Sequence, residues 1–353
     1  MLAAADGTPV ALDGATGELV LDPPRTSPPR SGTAPPRSPP APDGAGAGRG
    51  PGRHPRRGAR AGRRERRLAR GRRRGDRRRP GRAGPHRVPV PRPGRRPGRD
   101  EQEAAYRAVA DGVGGRRITL RTLDVGGDKP LPYLPQPAEA NPFLGVRGIR
   151  LAPAYPQLFA DQLLAIVRTA HATPVSVMFP MVATLDELHA ARAALDAAVA
   201  REGRGVPAGL QVGIMVEVPA AALKAAAFVP SVDFFSIGTN DLTQYTLAAE
   251  RGNPAVAGIA DPLDPGVLRL VDAVCRAAGA GPLVAVCGEA AADPVAAELL
   301  VGLGVRELSV APAAVAGTKQ AVRELDAAAA ARRAGAALAA DGPAAVRASP
   351  VRQ

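Results

Sequence analysis

Two acidic positions carry the clearest chemical signal in this chain. Glu217 closes the apolar run Gly213-Ile214-Met215-Val216, and Asn240-Asp241 follow Phe234-Phe235-Ser236-Ile237-Gly238. A carboxylate delivered by a buried strand is paired, metal-bound or catalytic, because an unpaired charge is costly away from water. Arginines recur in similar settings. Arg121-Thr122-Leu123-Asp124 follows Ile118-Thr119-Leu120 and leads into Gly126-Gly127-Asp128-Lys129; Arg147 and Arg150 follow Val146; Arg251 comes a short helix after Asp241. Val284-Ala285-Val286 delivers Cys287-Gly288-Glu289. Guanidinium forks match phosphate and carboxylate oxygens, and paired carboxylates suit Mg²⁺, which leaves positions for substrate and water. The ligand this set implies is a small, multiply anionic phosphorylated acid. Taken singly, each residue has a plainer reading: a strand-end arginine as a surface ion pair, Cys287 as a small buried hydrophobe. The conjunction points to chemistry. Cys275 reads as packing, His171 and His189 as surface residues of helical stretches, and His54 and His86 lie in a tract with no catalytic setting.

The elements that must position these groups alternate. Strands are expected at Ile118–Asp124, Val146–Leu151, Val175–Met181, Val212–Val218, Val232–Ile237, Val284–Cys287 and Glu307–Val310. Amphipathic helices are expected at Pro156–His171, Leu185–Arg201, Pro265–Ala278 and Pro294–Gly302. Strand–helix alternation implies parallel strands with helical crossovers, whose chemistry gathers at the strand C-termini. The expected fold is therefore α/β, a (β/α)8 TIM-type barrel lacking one strand.

The 353 residues carry a net charge of +14, which is unevenly spread. Residues 24–100 hold 25 Arg, no Lys and four acids, a local +21, which leaves −7 for the remainder. This Arg/Pro/Gly tract has no apolar periodicity and is expected to be disordered. It could attract nucleic acid through phosphates, but it lacks Lys and the interleaved aromatics of single-strand binders, so a nucleic-acid function is the secondary expectation. Residues 1–23 read as a hairpin remnant, Val10–Leu12 and Glu18–Leu21 around a Gly turn. Residues 101–325 form the expected barrel, and 326–353 an Ala-rich helix end and tail. Two cysteines indicate a reducing compartment, and neither a leader nor a span of about 20 apolar residues is seen. A soluble cytoplasmic protein is expected.

Residues 101–325 resemble the phosphoenolpyruvate-binding barrel of enzyme I of the bacterial sugar phosphotransferase system. The resemblance lies in Arg121-Thr122-Leu123-Asp124 with Gly126-Gly127-Asp128-Lys129, Asn141 to Arg147, Pro180-Met181, Met215 to Pro219, Ser236 to Tyr245, Arg251-Gly252-Asn253 and Cys287-Gly288-Glu289. Pyruvate phosphate dikinase and phosphoenolpyruvate synthase share the barrel, but Gly-Gly-Asp-Lys and Thr243-Gln244-Tyr245 favour enzyme I. The resemblance implies transfer of phosphate from phosphoenolpyruvate to a protein histidine, with a histidine-containing phosphocarrier protein next in the relay, and a homodimer formed through the barrel. It implies that Arg121, Arg147 and Arg251 hold the phosphate and carboxylate of phosphoenolpyruvate. Asn240 would bind the phosphate, Glu217 and Asp241 would bind Mg²⁺, and Cys287 would protonate the enolate.

Two family features do not occur in this sequence. The family's phosphate acceptor is a histidine in an N-terminal swivelling domain. Asp6 to Pro24 resembles the closing hairpin of that domain, making residues 1–23 its expected remnant, but no Gly-Gly-Ser-His-type acceptor motif is found, so relay by this chain alone is not expected. The first barrel strand, Arg-Thr-Glu-Phe-Leu-Phe in the family, is replaced by Pro85-His86-Arg87-Val88-Pro89-Val90-Pro91-Arg92-Pro93. Arg-Thr-Glu-Phe-Leu-Phe-Leu-Asp-Arg written in GC-rich codons and read from one base earlier gives that same Pro-His-Arg-Val-Pro-Val-Pro-Arg-Pro. The Arg/Pro tract is accordingly expected to be an out-of-frame segment that begins between about Pro24 and Gly84 and ends between about Pro93 and Glu101.

Overall fold

A computed structural model of the chain describes residues 10–12, 19–21, 95–125, 131 and 133–348. The expectations for most of 1–23, for 24–94, for Gly126-Gly127-Asp128-Lys129 and for the end of the tail fall outside the described residues. Strands β1 (Val10–Leu12) and β2 (Leu19–Leu21) pair antiparallel, Val10 opposite Leu21. Helix α1 (Arg99–Gly112) starts two residues before the expected barrel edge, and Glu101 caps it by accepting the Gly98 N–H at 2.7 Å.

The main body is one parallel sheet of six strands in sequence order: β3 (Ile118–Arg121), β4 (Val175–Phe179), β5 (Leu210–Val216), β6 (Phe234–Gly238), β7 (Leu283–Cys287) and β8 (Glu307–Leu308). The crossovers carry α2 (Leu151–Ala154) and α3 (Pro156–Ala170), then α4 (Leu185–Glu202), then α5 (Pro219–Leu223) and α6 (Ala225–Phe228). They continue with α7 (Thr239–Leu247) and α8 (Pro265–Ala278), then α9 (Pro294–Gly302). After β8 come α10 (Val315–Glu324), α11 (Ala327–Leu338) and α12 (Pro343–Ala348). Six consecutive parallel strands with helical crossovers are a curled portion of a (β/α)8-type barrel, with β3 and β8 as its edges among the described residues.

Each strand divides by parity. Val175, Val177 and Phe179, Val212, Ile214 and Val216, Phe235, Ile237, Val284 and Val286 join the main core with the helices, while Met178, Met215 and Phe234 form a separate cluster on the other face. Phe179, Phe228 and Phe235 are fully buried, each a gain of about 1.5–3 kcal/mol over exposure. On the second face Gly213 has no side chain because the Phe234 ring stands where one would be, 2.5 Å from a Cβ built there.

Local signals explain the helix ends. In α4, Thr184 and Glu187 cap reciprocally and Gly203 ends the helix at φ 80°. Pro265 and Pro294 open α8 and α9 behind the capping carboxylates Asp264 and Asp293.

The strand expected at Val146–Leu151 does not form. Gly148 lies in the left-handed region at φ 56°, residues Gly148–Arg150 make a 3-10 turn, and the chain passes directly into α2. The apolar residues Val146, Ile149 and Leu151 mimicked a strand there, but a left-handed glycine cannot continue one. His171 is not a surface side chain: it caps α3 half-buried, with Nε2 out of contact with solvent. The terminal residues pack more than a fading helix would, with Ala330, Ala334 and Ala337 of α11 buried.

Candidate active site

The C-terminal ends of β3, β5, β6 and β7 point their polar residues into one cluster. Glu217 follows β5 and is only 1% exposed, with its Oε2 accepting the Met181 backbone N–H at 2.9 Å. Gly238 at the end of β6 makes room for it, since a Cβ there would sit 2.8 Å from Glu217 Cγ. Asp241, in the first turn of α7, is 6% exposed. Asp124, in the loop after β3, completes a triad: one oxygen from each of Asp124, Glu217 and Asp241 lies within 4.8 Å of the others.

Arg147 stands on two of these carboxylates. It meets Asp124 through Nε at 3.2 Å and Nη2 at 2.7 Å, and Asp241 through Nη1 at 3.4 Å and Nη2 at 3.2 Å. Its Nη1 also donates to Tyr245 Oη at 3.2 Å, the Tyr245 hydroxyl donates to the Phe143 carbonyl, and the Phe143 ring lies 5.9 Å from the guanidinium. Burial opposes the Arg147 charge, but Asp124 and Asp241 outweigh it and raise its pKa above the ordinary value. Asp124 shows the converse: despite burial, the Arg147 hydrogen bonds and the charges of Arg147 and Arg121 lower its pKa.

Arg121, at the end of β3, keeps a third of its side chain exposed and lies 3.7 Å from Asp124 and 4.0 Å from Glu217. Glu217 is pushed up to about 8, first by burial and then by the charges of Asp241 and Asp124, against the pull of Arg121. A buried carboxylate with too little positive charge beside it fits a hard divalent cation, and an all-oxygen donor set is the kind such cations take.

On β7 the thiol of Cys287 receives the Ser236 hydroxyl at 3.6 Å and directs its own hydrogen to the Ile237 carbonyl at 3.5 Å. Loss of solvation, reinforced by the Glu217 charge, pushes it up to about 11, so the thiol stays protonated at neutral pH. Gly288, at φ 102°, lets Asn240 and Thr239 close in: a Cβ there would lie 2.4 Å from Thr239 Oγ1 and 2.9 Å from Asn240 Oδ1. Asn240 Oδ1 accepts the Glu289 N–H at 3.2 Å, and Thr239 donates to the Cys287 carbonyl at 2.9 Å.

Of the residues singled out in the sequence, Arg121, Arg147, Glu217, Asp241 and Cys287 come together, with Asn240 beside them. Arg251 lies in the loop after α7, its backbone N–H held by Gln244 Oε1 at 2.7 Å. Arg150 turns away to Glu187 at 3.3 Å. Two residues carry more than their sequence setting suggested. Asp124 is the third carboxylate of the triad. Gln162 of α3 holds the loop after β3 by accepting the Leu123 N–H at 2.9 Å, while its amide donates to Tyr106 Oη at 3.1 Å. The signal for Asp124 was its place at the end of the Arg121-Thr122-Leu123-Asp124 motif.

A parallel α/β sheet with carboxylates, guanidinium groups and a thiol gathered at its strand C-termini has the layout of a (β/α)-barrel active site. The match to known families is specific: residues 91–327 align with the PEP-utilising enzymes, PEP-binding domain, and the chain belongs to that family. A multiphosphoryl transfer protein of Rhodobacter capsulatus is 50% identical over 225 residues, covering 64% of this chain and 27% of that protein. The phosphoenolpyruvate-protein phosphotransferases of Bacillus sp. (strain S) and Geobacillus stearothermophilus are each 46% identical over 230 residues. Those matches cover 64% of this chain and 40% of each relative, so the chain spans less than half the length of these proteins. Among the described residues no helix is long and apolar enough to cross a membrane.

Proposed function

We propose that the barrel binds phosphoenolpyruvate and supports phosphoryl transfer from it to a protein histidine, the opening step of the sugar phosphotransferase relay. The observation that carries this reading is the triad of Asp124, Glu217 and Asp241 lying against Arg147 and Arg121, with the Cys287 thiol on the same rim. Glu217 and Asp241 are the proposed Mg²⁺ ligands, and the ion would supply charge neutralisation for the transferring phosphoryl group. Arg121, with its exposed third, is the first guanidinium a ligand anion meets; Arg147 and Arg251 complete the anion set, and Asn240 faces the phosphate. When the P–O bond to the enolate breaks, the phosphoryl group passes to the histidine nitrogen. Cys287 then gives its S–H proton to the enolate carbon, pyruvate forms, and the thiolate regains a proton from water. A raised thiol pKa suits that duty.

A protein histidine and a histidine-containing phosphocarrier protein are the proposed partners, with a second copy of the chain as dimer partner and the cytoplasm as the site of action. Residues 1–23 are assigned to a swivelling-domain remnant, 24–100 to an out-of-frame tract, 101–325 to the barrel and 326–353 to its helical end. A phosphoenolpyruvate titration with and without Mg²⁺ tests the reading. Mg²⁺-dependent binding that disappears in Glu217→Ala is expected; binding indifferent to both would overturn it.

A further inference from the structure

An arginine side chain owns five N–H groups, and those of Arg147 are all engaged. One is on Nε to Asp124, two on Nη2 to Asp124 and Asp241, and two on Nη1 to Asp241 and the Tyr245 hydroxyl. The side chain is 6% exposed. A fork so occupied has no hydrogen left for a ligand anion, yet the proposed function asks it to bind one. Asp241 faces a matching conflict, because the oxygens that receive Arg147 are those proposed to hold a divalent cation. The two demands are met together if Arg147 and Asp241 part.

The contacts rank themselves for that exchange. Asp124 holds Arg147 by the shorter pair, 2.7 and 3.2 Å, and Asp241 by the longer, 3.2 and 3.4 Å. Charge requires the same order. Withdrawing Arg147 from Asp241 leaves a buried carboxylate uncompensated, which is strongly unfavourable unless another cation replaces the guanidinium.

We propose that Asp124 is a positioning residue that retains Arg147 while Asp241 is handed over to a divalent cation, freeing one N–H on each of Nη1 and Nη2 of Arg147 for the anionic ligand. Cation and anion then bind with reciprocal coupling, each making the other's site available. This rests on the reading that Glu217 and Asp241 hold the cation.

The test uses the full chain, with Mn²⁺ as probe and phosphoenolpyruvate as the anion, in titration calorimetry. Arg147→Met removes the competing guanidinium and is expected to tighten Mn²⁺ about tenfold, with no further response to phosphoenolpyruvate. Asp124→Asn leaves Arg147 no carboxylate but Asp241 and is expected to weaken Mn²⁺ about tenfold. The double variant decides between roles: it should bind Mn²⁺ as tightly as Arg147→Met alone. A double variant as weak as Asp124→Asn would make Asp124 a direct ligand or a fold element and overturn the proposal, as would unchanged Mn²⁺ affinity in Arg147→Met. Should these variants not fold, the wild-type chain with ¹⁵N-labelled arginine gives the same answer. Saturating Mg²⁺ should accelerate hydrogen exchange at Arg147 Nη while Nε stays protected, and no change at Nη sinks the idea. Wild-type protein that binds no Mn²⁺, or Glu217→Gln that binds it unchanged, defeats the cation reading itself. Mn²⁺ binding lost in Glu217→Gln, with Arg147 indifferent, defeats this inference alone.

Discussion

Gly148 and Met181 face one another with left-handed backbones, at φ 56° and 59°, and a Cβ built on Gly148 would lie 2.6 Å from that of Met181. The contact joins two halves of the site. Ile149 donates its N–H to the Pro180 carbonyl at 3.1 Å, which fixes the turn carrying Arg147. Met181 gives its own N–H to Glu217. A non-glycine residue held at positive φ costs roughly 1–3 kcal/mol and persists where its surroundings over-determine it; here the buried Met181 side chain and two hydrogen bonds do so.

Gly148→Ala is therefore expected to destabilise the chain by about 2–4 kcal/mol, through both the backbone strain and the overlap with Met181. Gly203→Ala, at φ 80° but with nothing within 4 Å of a new Cβ, should cost only about 1 kcal/mol. Denaturant melts of the two variants measure the difference, and equal losses would remove the packing role from Gly148.

Glu217 links stability to pH. Its folded pKa, about 8, lies above its ordinary 4.5, so the native state holds the proton more tightly than the unfolded chain. That contribution is complete below pH 4.5 and is lost progressively as pH rises to about 8. Glu217→Gln should match the wild type near pH 4.5 and exceed it at pH 8. Parallel stability curves across that range would mean that Glu217 is ionised throughout.

Cys287 should react slowly with alkylating reagents. In a Cys275→Ala background, the native rate should rise with a midpoint near pH 11, and the unfolded chain's with one near 8.5. A native midpoint at or below 8.5 would remove the case for a standing proton donor at this position.

The Arg/Pro tract makes a prediction at the level of the gene. Resequencing should reveal a base gained or lost on each side of Pro85–Pro93. One uninterrupted frame in independent reads refutes the out-of-frame origin and returns the tract's 25 arginines in residues 24–100 to consideration as a nucleic-acid arm, testable by the steepness of its salt dependence.

Much of the site could be read from the chain because strand ends announce themselves. An apolar run that breaks into Glu217, Asp241 or Cys287 locates both the element and its chemistry, and α8 and α9 are marked by Pro265 and Pro294 behind an aspartate. What remained hidden depends on contacts across distance. Asp124 reads only as the last residue of a strand-end motif until Arg147, 23 residues later, is laid on it. The false strand at Val146–Leu151 has the same origin: its apolar spacing is local, whereas the left-handed turn at Gly148 is held by Pro180 and Met181. Gln162 reads as one polar residue on a helix, and only the fold brings it to the Leu123 N–H.

The Phe234 ring lying over Gly213 has an evolutionary consequence. Neither position can drift alone: a side chain at 213 meets the ring, and a smaller residue at 234 leaves a void beneath the site. Substitution must therefore pass through a compensated pair, with bulk moving from one strand to its neighbour. Descendants of this barrel should keep the total volume of the two positions while free to change which one carries it.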